Sequence, residues 1–283
     1  MASFTNFATL SYNGGTTNSN IVTGEILEAL TAVKTAVSAN YSAGDRITYA
    51  LSLVNTGTAA VTDYTVTDNL GGYTVGANTV YPLAYNAGTV RYYINGVLQA
   101  APTVTAGPPL TVTGLTVPAG GNAVLIYETT ATPVAPLATG SSITNTATIT
   151  GGGLTTPITA QATVETANSA ELSISKALSP TTVTENGQIT YTFVISNTGN
   201  TEATATGNVV VTDTFAPILR NIAVTYNGTA WTEGTNYTYN AATGVFTTLA
   251  GQITVPAASF TQNTDGTFTV TPGTATLVIT GTV

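Results

Sequence analysis

Ile47-Thr48-Tyr49-Ala50-Leu51-Ser52-Leu53-Val54-Asn55-Thr56-Gly57 returns later in the chain as Ile189-Thr190-Tyr191-Thr192-Phe193-Val194-Ile195-Ser196-Asn197-Thr198-Gly199. In both copies the bulky apolar residues fall on one parity: Ile47, Tyr49, Leu51 and Leu53, then Ile189, Tyr191, Phe193 and Ile195. Period-two alternation of this kind predicts half-buried strands. The repeat extends in both directions. Lys34 precedes the first copy and Val66-Thr67-Asp68 follows it; Lys176 and Val211-Thr212-Asp213 flank the second. Lys to Tyr is 15 positions in both units (34 to 49, 176 to 191), and Lys to Asn is 21 in both (34 to 55, 176 to 197). Lys to Asp is 34 and then 37, with the extra residues near Ala203–Gly207. Repetition over such a span sets the architecture before any single residue does.

Asn-Gly pairs at 95–96 and 227–228 lie between strand-like runs and predict hairpin turns. Many short strands with Gly-rich turns imply an all-β chain of two tandem antiparallel sandwiches. The stretch from Ile26 to Val37 has apolar spacing that also suits a helix. Its aligned partner, Ala170 to Leu178, alternates like a strand, so both are read as strands. Three parts follow: an arm over residues 1–28, a complete unit over 29–167, and a unit over 168–283 that stops early. Ala123–Tyr127 aligns with Ala275–Ile279; the first unit then continues for some forty residues, whereas four follow Ile279.

Composition narrows the function. A length of 283 residues suits about two domains. Hydrophobic residues make up 43% of the chain, enough for real cores, and Thr, Ala, Val and Gly are the palette of strands and turns. With five Lys and Arg against 13 Asp and Glu, the net charge is −8, which argues against nucleic acid as a partner. The chain has no Cys and no His, which removes disulfides, thiol nucleophiles, His-based triads and most transition-metal sites. No metal or cofactor is expected, and no Asp-x-Asp-x-Asp-Gly calcium pattern occurs. No apolar run is long enough to span a membrane. Met1-Ala2-Ser3-Phe4 lacks the basic start and apolar core of a signal peptide. The expectation is a removed leader or another export route, such as lysis of a mother cell around a spore.

The pattern Tyr-x-Leu/Phe-x-Leu/Ile-x-Asn-Thr-Gly, the Val-Thr-Asp, and a terminal Thr-Asn-x-Ala-Thr strand together resemble the conserved repeat of bacterial surface proteins called domain of unknown function eleven. The resemblance covers both units and the arm. It implies an immunoglobulin-like sandwich exposed on a cell or spore surface, without enzyme activity.

The Thr-Asn strand stands in two places. Ile143-Thr144-Asn145-Thr146-Ala147-Thr148-Ile149-Thr150 closes the first unit, and Phe4-Thr5-Asn6-Phe7-Ala8-Thr9-Leu10-Ser11 opens the chain. Ile143, Asn145, Ala147 and Ile149 share one face; Phe4, Asn6, Ala8 and Leu10 share the matching face. A lone strand does not fold by itself. A second unit without its last strand would leave an open sheet edge. Strand addition from a neighbour answers both problems, as in donor-strand pilins. Burying Phe4 and Leu10 would stabilise the joint by ~1.5–3 kcal/mol each. Such a heterologous contact makes rings or open filaments. Two alternatives stand beside it: the arm folds back on its own second unit, or adds an edge strand to the first.

A second constellation is chemical. Lys34 shares parity with Leu30 and Ala32, and Lys176 with Leu172 and Ile174. Asp68 is in phase with Tyr64 and Val66, and Asp213 with Val209 and Val211. Each unit thus points a Lys and an acid into its core, where isolated charges are costly to bury. With Asn145 added, this arrangement resembles the self-forming isopeptide crosslinks of Gram-positive pilins and adhesins. Lys34 would be the nucleophile, Asp68 the proton shuttle and Asn145 the electrophile. Lys176 and Asp213 have no following Asn, and Asn6 of a neighbour would supply one. The plainer reading is a buried ion pair with Asn hydrogen-bonded nearby, or a Lys that snorkels outward at a strand end. Glu128 is a second candidate acid, although Thr280 aligns with it. Tyr81, Tyr85, Tyr92 and Tyr93 are a candidate sugar platform. The sequence therefore predicts an extracellular filament subunit whose principal partner is itself, with any surface anchor left open. The runner-up is an adhesin or stalk fragment that binds a surface ligand.

Overall fold

The structure, a computed structural model, describes residues 2–26 and 29–283. In the first sandwich one sheet runs, in spatial order, Val97–Leu98, Arg91–Ile94, Asn122–Ala131, Arg46–Asn55 and Leu30–Ala36. Its central pair is antiparallel from Asn122↔Val54 to Thr130↔Arg46. The facing sheet runs Thr103–Thr105, Leu110–Val117, Val61–Asp68, Ser142–Gly151, Ile158–Thr166 and Asn40–Tyr41. Its last contact is parallel. The alternation of the repeat does what it predicts: Ile47, Tyr49, Leu51 and Leu53 are fully buried between the sheets, against Val66, Leu115, Ala147 and Ile149. Each such side chain contributes about 1.5–3 kcal/mol of burial.

The Asn-Thr-Gly of the repeat is a corner device. The Asn55 amide donates to the carbonyls of Ala59 and Pro118, and its oxygen accepts from the Gly57 N–H. Asn197 repeats this with Thr201, Pro256 and Gly199. Glycine follows because backbone passes close by: a Cβ on Gly199 would stand 2.2 Å from the Ser169 carbonyl oxygen. The predicted hairpin turns are present, with Asn95 and Gly96 at φ 47° and 79°, and Asn227 and Gly228 at 48° and 80°. Both residues of a type I′ turn need positive φ, which Asn-Gly supplies.

The second sandwich repeats one sheet and half of the other. Leu172–Ser179, Gln188–Asn197, Gly273–Thr282, Arg220–Tyr226 and Thr229–Trp231 form the first sheet. The second has three strands, Thr212–Thr214, Val245–Thr248 and Tyr237–Asn240. Its core is more aromatic: Phe215 packs against Tyr191, Tyr239 and Phe246. Among the described residues Thr212–Thr214 pairs on one side only, with Val245–Thr248. In the first sandwich the corresponding Val61–Asp68 is held on both sides.

The arm differs from its prediction. Residues 4–11 do not form one strand; Ala2–Asn6 and Thr9–Tyr12 are separated at Phe7 and Ala8. Ala2–Asn6 pairs with Val22–Ile26, and Thr9–Tyr12 with Gly15–Asn18. The arm is a hairpin that closes on itself, reversed at Asn13-Gly14. Among the described residues its strands pair with no strand of either sandwich, so neither alternative for own-chain strand pairing is observed.

Candidate functional site

Lys34 lies at the middle of the inner face of Leu30–Ala36, and Asp68 ends Val61–Asp68 in the opposite sheet. Lys34 Nζ reaches Asp68 Oδ2 at 2.5 Å, with side chains 0% and 1% exposed. Asp68 pairs with Ala147, which puts Asn145 two residues along on the same inward face. Asn145 is 0% exposed. The first three predicted residues therefore lie in one closed core.

The core is held in an uncommon electrostatic state. Burial pushes the Lys34 amine down to about 8, with the Asp68 charge and hydrogen bond acting in the other direction. A buried amine with so low a pKa is a nucleophile near neutral pH. The Lys34 ammonium also sits 4.8 Å from the centre of the Tyr49 ring and 5.8 Å from that of Tyr127. Among the described residues neither amide atom of Asn145 has a hydrogen-bond partner. The Tyr49 and Tyr127 hydroxyls lie near the amide, but neither aligns into a bond with it by distance and angle. An orphaned buried polar group costs about 1–3 kcal/mol, so an amide left in this state needs an explanation.

Tyr127 is the residue that the sequence pattern passed over. Its hydroxyl donates to Asp68 Oδ2, the same oxygen that Lys34 reaches. Burial first, then the Asp68 charge, pushes its pKa up, so it remains a donor. The signal was available, since Tyr127 shares inward parity with Ala123 and Leu125. Alignment hid it, because its counterpart is Ile279. Glu128, the other candidate acid, is corrected: it faces outward toward Arg46 at 3.7 Å, because it takes the opposite parity to Tyr127. The four tyrosines do not form one platform. Tyr92 is buried, with its hydroxyl bonded to the Thr116 carbonyl, whereas Tyr81, Tyr85 and Tyr93 are half-buried. Among the described residues no three His, Cys, Asp or Glu side chains cluster to hold a metal.

The second sandwich holds the same pair without its cover. Lys176 Nζ meets Asp213 Oδ2 at 2.5 Å, but the side chains are 39% and 18% exposed. Tyr191 and Phe193 lie under the ammonium, at 4.5 Å and 5.3 Å to the ring centres. Beside it Leu172, Ile174 and Leu178 are 40%, 54% and 38% exposed, although their parity is that of the buried Leu30 and Lys34. Asn6 lies on the exposed arm hairpin, between Phe4 and Leu10, which are 54% and 63% exposed. Within the chain it is not brought to Lys176.

The fold and site together describe a tandem immunoglobulin-like chain with a sealed Lys–Asp–Asn core in one sandwich and an open Lys–Asp pair in the other. No protein-family model matches the sequence, and no curated protein matches it. Among solved structures, the chain is similar to the pilus backbone RrgB of Streptococcus pneumoniae: 14% identity, 86% of this chain and 55% of that chain, TM-score 0.36. It thus spans little more than half of that protein. It is also similar to BcpA, the major pilin subunit of Bacillus cereus: 14% identity, 96% and 73% coverage, TM-score 0.35. The third is a C-terminal fragment of the major pilin GBS80 of Streptococcus agalactiae, at 15% identity, 87% of each chain and TM-score 0.36.

Proposed function

We propose that this protein is the structural subunit of a filament on a bacterial cell or spore surface, polymerising head to tail. The arm of one subunit inserts beside Thr212–Thr214 of the next. The observation that carries this reading is the contrast between the two Lys–Asp pairs. Lys34 and Asp68 are sealed by the strand bearing Asn145, whereas Lys176 and Asp213 lie open and an exposed strand bears Asn6. Insertion satisfies an open sheet edge and exposed apolar side chains in one step.

Within the first sandwich the reaction is an isopeptide bond. The neutral Lys34 amine attacks the Asn145 side-chain carbonyl carbon. A proton leaves Nζ and reaches the amide nitrogen through the Asp68 carboxyl. The carbon–nitrogen bond of the amide breaks, ammonia departs and Asp68 is regenerated. The step is a net exchange of one amide for another and needs no oxidant or metal. Tyr127 holds Asp68 in place during it. Lys176, Asp213 and Asn6 of the neighbouring subunit repeat the chemistry at the joint, which makes the polymer covalent. The arrangement favours a role in assembly over catalysis on a substrate.

Deleting residues 2–12 tests the assembly. Electron micrographs of the purified full chain are expected to show filaments, and the truncated protein none. Filaments from the truncated protein would exclude the arm as the connector.

A further inference from the structure

The arm carries a second copied strand. Ala162-Thr163-Val164-Glu165, on the strand that follows Asn145, is repeated near the start as Val22-Thr23-Gly24-Glu25. Pairing repeats with it. In the first sandwich Ser142 pairs with Glu165, Thr144 with Thr163 and Asn145 with Ala162. In the arm Ser3 pairs with Glu25, Thr5 with Thr23 and Asn6 with Val22. Ile143 opposite Val164 becomes Phe4 opposite Gly24, a larger residue against a smaller one. The exchange is steric: a Cβ on Gly24 would stand 2.4 Å from the Phe4 ring, which lies across that position. Over Ala2–Asn6 and Val22–Ile26 the arm therefore repeats the register of the hairpin formed by Ser142–Gly151 and Ile158–Thr166, whereas beyond it Thr9–Tyr12 pairs with Gly15–Asn18 one residue out of that register.

The second sandwich lacks cover from both of those strands. Ile158–Thr166 lies along Leu30–Ala36 and closes over the Lys34 strand. Among the described residues Leu172–Ser179 has no such neighbour, which accounts for the exposure of Ile174 and Leu178. Ile158–Thr166 also pairs in parallel with Asn40–Tyr41. The aligned residues 182–183 of the second sandwich form no strand. One inserted strand would complete the edge at Thr212–Thr214 but would leave the Lys176 strand bare.

We infer that the subunit donates a two-stranded hairpin to a second copy of this chain, with Val22–Ile26 covering Leu172–Ser179 and running alongside residues 182–183. The inference rests on the assembly proposed above. It assigns Val22 to the buried face, beside Asn6 and opposite Ile174 and Leu178, and Thr23 to the outer face. An isolated two-stranded ribbon is marginal in water, so the hairpin gains its stability on docking.

Parity supplies the test in the full-length chain. Val22→Asp places a charge on the docked face and is expected to slow filament growth by about tenfold or more, whereas Thr23→Asp leaves growth near wild type. Hydrogen exchange on wild-type filaments provides a measure independent of the variants: the amides of 22–26 should become protected relative to the monomer. Wild-type filaments in which 22–26 exchange as fast as in the monomer, with Val22→Asp and Thr23→Asp growing alike, would overturn two-strand donation while leaving single-strand insertion intact. Continued assembly after deletion of residues 2–12 would overturn both.

Discussion

Lys176 and Asp213 meet at 2.5 Å, the distance at which Lys34 meets Asp68, yet their side chains remain 39% and 18% exposed where the other pair is sealed. Sheet geometry rather than sealing therefore creates the pair, and sealing is what changes its chemistry. Water screens an open pair, which contributes little to stability. A closed one must be matched, and its amine is driven toward the neutral form.

Removing one partner of the closed pair has a defined cost. Asp68→Ala leaves the Lys34 amine buried without its carboxylate, which is expected to destabilise the first sandwich by about 3–5 kcal/mol. It also removes the proton carrier, so intact mass should match the unmodified sequence, whereas the wild-type chain should be lighter by one ammonia. Asp213→Ala acts on an exposed pair and should cost the monomer far less. Chemical denaturation and mass spectrometry check both.

The amine sets a pH dependence whose sign follows from linkage. Lys34 titrates near 8 when folded and at 10.5 when unfolded. Between those values the unfolded chain binds more protons, so stability rises with pH across the window. The deficit is fully present below about 8, and it amounts to roughly 3–4 kcal/mol. Buried tyrosines such as Tyr49, whose pKa burial pushes up from 10.0, act with the opposite sign above pH 10. Denaturation of the uncrosslinked Asn145→Ala chain between pH 7.5 and 9.5 should show the rise, and the further change Lys34→Met should remove it. In refolded wild type, ammonia loss should accelerate through the same window.

The joint has its own covalent test. Wild-type filaments boiled in detergent should run as a ladder, and Asn6→Ala filaments should collapse to monomer. Asn6→Ala removes the electrophile but keeps Phe4 and Leu10 for docking, so assembly itself should survive. A wild-type ladder that collapses on boiling would exclude the bond while leaving strand insertion in place.

Much of this was legible in residue order because alternation reports burial directly. Tyr49 and Leu51 gave the inner face, and Asn95-Gly96 a turn, each from local chemistry. Lys34 and Asp68 could be placed in one core because parity survives even when the residue is charged. The arm was harder. Its strands are rich in Thr, Asn and Gly, so no apolar stripe reports that residue 4 faces 24, and pairing between distant polar strands leaves little trace. Tyr127 was lost for a different reason: searching for what two units share discards a hydroxyl present in only one of them.

The connection between the sandwiches also depends on one amide. Asn200, just past the second Asn-Thr-Gly, donates through Nδ2 to the carbonyls of Leu137 and Ala167, both at 2.9 Å. Its Oδ1 accepts from the Ser169 N–H at 3.0 Å, and its own carbonyl accepts from the Thr139 hydroxyl at 2.5 Å. One side chain thus ties the second sandwich to the linker and to a loop of the first. Gln262, on the hairpin formed by Ser259–Gln262 and Phe268–Thr271, adds a strut by donating to the Tyr73 hydroxyl at 2.8 Å. In the proposed filament such a joint would keep successive sandwiches in line, because a free linker would let each subunit bend. Asn200→Ala leaves two carbonyls and one N–H without these partners at a part-buried site, at a cost of about 1–3 kcal/mol. Small-angle scattering of the variant should show a wider spread of inter-sandwich orientations, with each sandwich still folded by circular dichroism. A wild-type scattering profile from Asn200→Ala would show that the hairpin strut alone holds the two sandwiches in line.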